Sequence, residues 1–220
     1  MSDEGHQASI YQSVVEAIVA RIWIASDALS EVDKSGDNPM NFVGCELAVL
    51  QVRLICELML LGATSAHLVE AGLDLRDNEW RPKHAFYDLS QQSEHPLPFP
   101  IVLQSDDERR SHHATPISQP VSFEALSRIY GICGDLLHAP TFRQVSKNRM
   151  PEFDVPLIWS WVNGFRELLL GHALFLPERK IGLICVWSGK RDEQPTAFRI
   201  DAKGQSTLDL STFPPFSLLQ

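Results

Sequence analysis

The sequence predicts a mainly α-helical protein, a four-helix bundle followed by a small C-terminal β-hairpin. Three observations lead there. Apolar residues recur at three- and four-residue steps in four separate segments. The second of these segments is apolar around most of its circumference, which marks it as the central helix. Near the C-terminus, KIGLICVW and TAFRIDA flank a polar SGKRDEQP turn and have the composition of paired strands.

The first helix runs from Ile10 to about Val32, with Val14, Ile18, Ile22 and Ala25 on its inner face, and SGDNP ends it. Asn41 can cap a second helix from about Phe42 to Leu68, with Gly72 as its C-cap. Residues 73–121 form a long irregular insertion. Within it a short helix is expected near Pro82–Ser90, EHPLPFPIVLQ should run extended across the surface, and SDDERRSHHATPISQP should be an exposed loop. Ser122 caps a third helix whose apolar series is Phe123, Leu126, Ile129, Ile132 and Leu136, and Ala139–Pro140 stops it. TFRQVSKNRMP is a basic connector. Asp154 or Val155 opens a fourth helix, from Pro156 to about Leu174. The bundle is thus assigned to residues 1–178, and the hairpin and tail, packing on it, to 179–220.

Composition narrows the functional classes. With 220 residues, 44% hydrophobic and 21% charged, the chain has enough apolar material for a sizeable core. A net charge of −9 argues against a free-standing nucleic-acid binder. Cys45, Cys56, Cys133 and Cys185 lie in apolar segments with no CxxC spacing, so buried free thiols in a reducing compartment are expected. The polar, acidic MSDEGHQASIYQS is unlike a signal peptide. Leu47–Leu61 holds Gln51, Arg53 and Glu57, too polar a middle for a membrane span. A cytoplasmic location follows, with no membrane partner.

Several polar residues stand where packing alone would not place them. Glu46, Arg53 and Glu57 fall within an arc of roughly 40° on the second helix. This acid–base–acid stripe is either a structural ion pair or the lining of a site between helices. In RIYGICGDLLH, Gly131 and Gly134 suggest that another backbone lies close by. Asp135 and His138 are i,i+3 neighbours at the helix end. His138 either caps the last carbonyls, with Asp135 holding its ring, or is oriented by Asp135 as a general base. No further residue completes a metal site, and no cofactor is implied. His112–His113 should be solvated. Trp159 and Trp161 point to different sides of their helix, Trp159 into the core and Trp161 to the core or an interface.

Three stretches, LAVLQVRLICELMLLG (47–62), LSRIYGICGDLLHAPTF (126–142) and FRELLLGHALFL (165–176), resemble the pattern LQLRKxxEL…YGxCGDxLHAxNPF…LLxxH. That pattern belongs to a widespread group of uncharacterised bacterial proteins, some regarded as HEPN-like (higher eukaryotes and prokaryotes nucleotide-binding domain) and some found near defence genes. EHPLPFP is similar to the group's fYPxP segment. The resemblance carries Arg53, Glu57, Tyr130, Gly131, Gly134, Asp135, His138 and His172. Separately, Arg166 and His172 have the Arg–x5–His form of the HEPN ribonuclease motif. With thirteen arginines and eight histidines, about one such match is expected by chance. The residue after Arg166 is Glu167, where that class has an uncharged polar residue. Pro140 and Thr141 replace the group's Asn-Pro.

Two functions are therefore expected. The first is a non-catalytic protein-interaction or regulatory module of a defence or toxin–antitoxin system, acting as a homodimer or with a protein partner. The second is a metal-independent ribonuclease or nucleotide-acting enzyme. There His138, Asp135 and His172 would be catalytic, and Arg53, Glu57, Tyr130 and Arg166 would bind RNA or nucleotide.

Overall fold

The computed structural model describes residues 3–32, 39–70, 89, 97–106, 111–116, 121–138, 152–176 and 181–201. Among them are four helices, α1 (Asp3–Ser30), α2 (Pro39–Glu70), α3 (Phe123–Leu137) and α4 (Val155–Leu170). Five strands accompany them, β1 (Phe99–Asp106), β2 (Ser111–Pro116), β3 (Gly171–Leu176), β4 (Ile181–Val186) and β5 (Thr196–Asp201).

Local sequence explains the helix starts. Ser122 accepts a hydrogen bond from the Ala125 N–H at 3.1 Å, and Asp154 accepts one from Leu157 at 3.0 Å. Each satisfies an N–H that a helix start leaves without a partner. Pro156 fits the first turn of α4, where no N–H is needed. Asn41 is no cap, because α2 begins two residues earlier, at Pro39. The helix expected at 82–90 lies outside the described residues except for Leu89, which is helical and buried. Gly72 and the 141–151 connector also lie outside them.

The helices pack with α2 at the centre, touching α1, α3 and α4. Tyr11, Val15, Ile18, Ile22, Ala25 and Leu29 of α1 meet Ala48, Val52, Ile55, Met59 and Ala63 of α2 in one continuous core. Trp161 belongs to that core, and the half-buried Trp159 packs against it. Trp161 is 8% exposed, so it forms no outer interface. By length and composition Ala8–Ser30 and Asn41–His67 could cross a bilayer, but both helices contribute one face to this core.

The β-structure is larger than a hairpin. All five strands form one antiparallel sheet in the order β2-β1-β3-β4-β5. The β4–β5 hairpin is present as expected, from Ile181↔Asp201 to Val186↔Thr196. Three expectations are corrected. The segment expected to run extended across the surface is extended, but as β1 within the sheet, with Leu97 and Ile101 buried. The expected loop supplies β2, which places His112 and His113 opposite Ser105 and Gln104. Finally, α4 stops at Leu170, and the next six residues become β3. A boundary at 178 would therefore divide β3 from β4, which pair from Gly171↔Val186 to Leu176↔Ile181.

Strand alternation assigns the two faces. His172, Leu174, Leu183 and Cys185 are buried with the helices, His172 against Tyr11 of α1. Ile101, Ala173, Ile184, Val186 and Phe198 make a second cluster on the other face. Gly171 lies where β1 passes closest, since a Cβ there would stand 3.0 Å from the Ile101 carbonyl oxygen.

The turn after β4 depends on Gly189, whose φ of 77° lies in the left-handed region. An added Cβ would also come within 2.9 Å of the Leu170 side chain, whose flexible end can yield. Gly189→Ala is therefore expected to cost about 1–2 kcal/mol, mostly from the backbone. Urea unfolding with an unchanged m-value would measure it.

Candidate functional site

Three groups of polar residues compete for a functional role, and the fold separates them. The first lies between α2 and α3. Arg53 contacts Glu57, one turn along α2, with Nε–Oε1 at 3.4 Å, and donates from Nη2 to the Tyr130 hydroxyl at 3.3 Å. Its guanidinium carbon lies 4.9 Å from the Tyr130 ring centroid, close enough for a cation–π contact. The missing side chain of Gly134 leaves room here, because a Cβ would stand 3.4 Å from Arg53 Nη1. Gly131 has nothing within 4 Å of its added Cβ. The expected backbone approach at the two glycines is thus replaced by one arginine side chain at Gly134 and open space at Gly131.

Arg53 and Glu57 remain 27% and 26% exposed, so this is a surface ridge with a half-buried cation. Burial works against the Arg53 charge, but Tyr130 and Glu57 outweigh it and hold the proton more firmly than usual. Glu46, the third member of the expected stripe, lies seven residues before Arg53. That is about 10 Å along the helix, too far for a direct ion pair.

Asp135 and His138 are both exposed at the end of α3. Among the described residues neither side chain has a hydrogen-bond or ion-pair partner, so no Asp135–His138 pair forms. His138 does end the helix, but with its backbone: its N–H donates to the Gly134 carbonyl at 3.1 Å. The capping role expected of its ring belongs to the main chain.

The second group surrounds His172. This residue was expected on a helix, but it sits on β3, wholly buried, between Cys185 of β4 and Pro100 of β1 in register. Its Nε2 is 2.9 Å from the Tyr11 hydroxyl, and the two rings meet edge to face. Burial lowers the pKa of His172 to about 4, against a smaller opposing effect from the Leu169 and Leu168 backbone. Those two groups favour a proton on the ring electrostatically, yet Nδ1 has no partner at hydrogen-bond geometry. The ring is neutral at pH 7. Tyr11 is held well above the usual phenol range by burial and secondarily by Cys185. His172 and Tyr11 thus form a sealed neutral pair out of substrate reach.

The third group holds the β4–β5 turn against the helices. Arg166, exposed on α4, donates from Nη2 to the Gly189 carbonyl at 3.0 Å. Arg166 and Arg191 lie 5.2 Å and 5.3 Å from the Trp23 ring. Trp187 meets Trp23 edge-on at 6.1 Å and donates to the Lys190 and Glu193 carbonyls. Arg191 also pairs with Asp27 of α1. Arg166 is therefore an anchor for the turn, while His172 lies in the interior. The two ends of the Arg–x5–His run do not share a site.

The cysteines bear on chemistry as well. All four are free and buried, as their apolar surroundings suggested. Burial pushes the Cys133 thiol up to about 12, with Arg53 only partly opposing it. Cys185 is raised to about 12 by burial and Glu16, and burial likewise raises Cys56 and Cys45. None supplies a thiolate nucleophile at neutral pH. Among the described residues no three His, Cys, Asp or Glu side chains gather to hold a metal.

Of the predicted site residues, the fold unites Arg53, Glu57, Tyr130 and Gly134. It leaves Asp135 and His138 on the nearby helix end and sends Arg166 and His172 to separate places. Sequence reasoning missed Tyr11 and Trp23. Trp23 does carry a signal, since it breaks the apolar spacing of α1 beside Arg21 and Asp27. Tyr11 carries none that separates it from an ordinary core aromatic. No family profile, curated protein or solved structure matches the chain.

Proposed function

We propose that this chain is a HEPN-like, non-catalytic protein-interaction module, a partner or regulator within a bacterial defence or toxin–antitoxin system in the cytoplasm. One observation carries the reading. The histidine that would move a proton in an Arg–His nuclease is sealed against Tyr11, and its arginine is engaged by Gly189 and Trp23. The four packed helices are compatible with a HEPN-like bundle. The net charge of −9 favours protein over RNA as the partner.

The second reading, a metal-independent ribonuclease, keeps one supporting observation. Arg53 reaches across to Gly134, and the exposed His138 lies one helical turn beyond it on α3. An arginine and a histidine thus share one region of surface. Incubating purified protein with total RNA, and inducing it in growing cells, separates the two. Intact RNA is expected from wild type, Arg53→Gln and His138→Ala alike. RNA loss by wild type that His138→Ala abolishes, with an unchanged circular dichroism spectrum, would overturn the interaction reading.

A further inference from the structure

Helix α2 carries two apolar faces. One builds the core. The other runs along the outside through Val43, Leu47, Leu50 and Leu54, at steps of four, three and four residues. That is the spacing of a helix–helix seam, which averages 3.5 residues. Val43 is 51% exposed, Leu47 39% and Leu50 40%, while Leu54 is half-buried; the neighbouring Phe42 is 43% exposed and meets Phe153 edge to face. Single exposed leucines need no explanation, but a contiguous row of this size on a long rigid helix marks a contact surface.

The flank of the row supplies charges. Glu46 and Arg53 lie on the same side of it, seven residues apart. Arg53 has Glu57 as its partner, whereas Glu46 has no cation partner among the described residues. We propose that α2 pairs with α2 of a second copy of this chain, antiparallel, with Leu47 against Leu50 of that copy and Val43 against its Leu54. In this register Glu46 flanks the same layer as Arg53 of the second copy. The two-fold axis repeats the pairing, so each Arg53 gains a second carboxylate. A parallel pair lacks this complementarity, because Glu46 would then face Gln51, which is 6% exposed and already bonded to Arg21 at 3.0 Å. This inference rests on the interaction reading and names the partner it requires.

Sedimentation equilibrium of the full chain over a micromolar concentration series tests the pairing. Wild type is expected to reach the mass of two copies. Leu50→Lys, at an exposed position that leaves the core intact, should weaken association at least tenfold with unchanged circular dichroism. Cross-linking tests the register, and the buried native thiols do not compete. A mixture of Leu47→Cys and Leu50→Cys proteins should form a disulfide-linked dimer faster than either variant alone. A wild type that stays monomeric overturns the pairing, and faster same-position cross-linking overturns the antiparallel register. Co-sedimentation of monomeric protein with phosphatidylcholine vesicles, lost in Leu50→Lys, would assign the row to lipid and also overturn it. A monomer that leaves RNA intact overturns the pairing alone; a dimer that degrades RNA overturns only the interaction reading.

Discussion

Lowering the pH from 7 to 4 is expected to remove about 3 kcal/mol of stability through His172 alone. In the unfolded chain this imidazole takes up a proton near its ordinary value of 6.5; in the folded chain it does so only near 4. Between those values the unfolded state binds more protons, so stability falls as pH falls. Above pH 6.5 the contribution is fully present, and below about 4 it is gone. The physical cause is burial of the ring against Tyr11. Urea unfolding at half-unit pH steps should show a slope of about 1.4 kcal/mol per pH unit in that window, beyond the slope of His172→Gln. Glutamine can still bond the Tyr11 hydroxyl, so the comparison isolates the titration. Parallel curves for the two proteins would show that His172 does not titrate as a buried neutral ring.

Trp23→Ala is expected to cost about 3 kcal/mol, at the lower end for an aromatic residue because the ring is only half-buried. The loss has two parts. Packing area disappears between α1 and the β4–β5 turn, and two guanidiniums lose the ring face they lie over. Trp187 also loses its edge-on neighbour. Trp23→Phe should recover most of the stability, since a smaller ring keeps a face for Arg166. Thermal unfolding and amide exchange would check this, with the largest loss of protection expected at residues 187–195. Uniform loss across all four helices would instead make Trp23 an ordinary core residue.

The features legible in the sequence are those set by neighbours in the chain. Ser122 and Asp154 announce their helices because capping is a three-residue interaction. Arg53 and Glu57 announce their contact because one helical turn separates them. The β4–β5 hairpin is legible because its strands flank a short turn. The helix-to-strand change at Gly171 is different. RELLLGHALFL keeps a helix-compatible apolar spacing past Leu170, and what makes it a strand is pairing with β1 and β4 on its two sides. The one local hint is Gly171 itself, followed by alternation of His172 and Leu174 with Ala173. Missing that change put His172 on the same helix as Arg166 and made an apparent motif of two unrelated residues. The Arg53–Tyr130 contact joins residues far apart in sequence, so spacing could not reveal it.

The central position of β3 has a kinetic consequence. Phe99 and Ala173 pair although more than seventy residues separate them, whereas α1 and α2 are joined by a short connection. Closing the larger loop forfeits more chain freedom before any contact rewards it. The α1–α2 hairpin and the β4–β5 ribbon should therefore assemble early. The junction of β1 with β3 should follow both, and until then β3 is an open edge on which a nascent chain is prone to mispair.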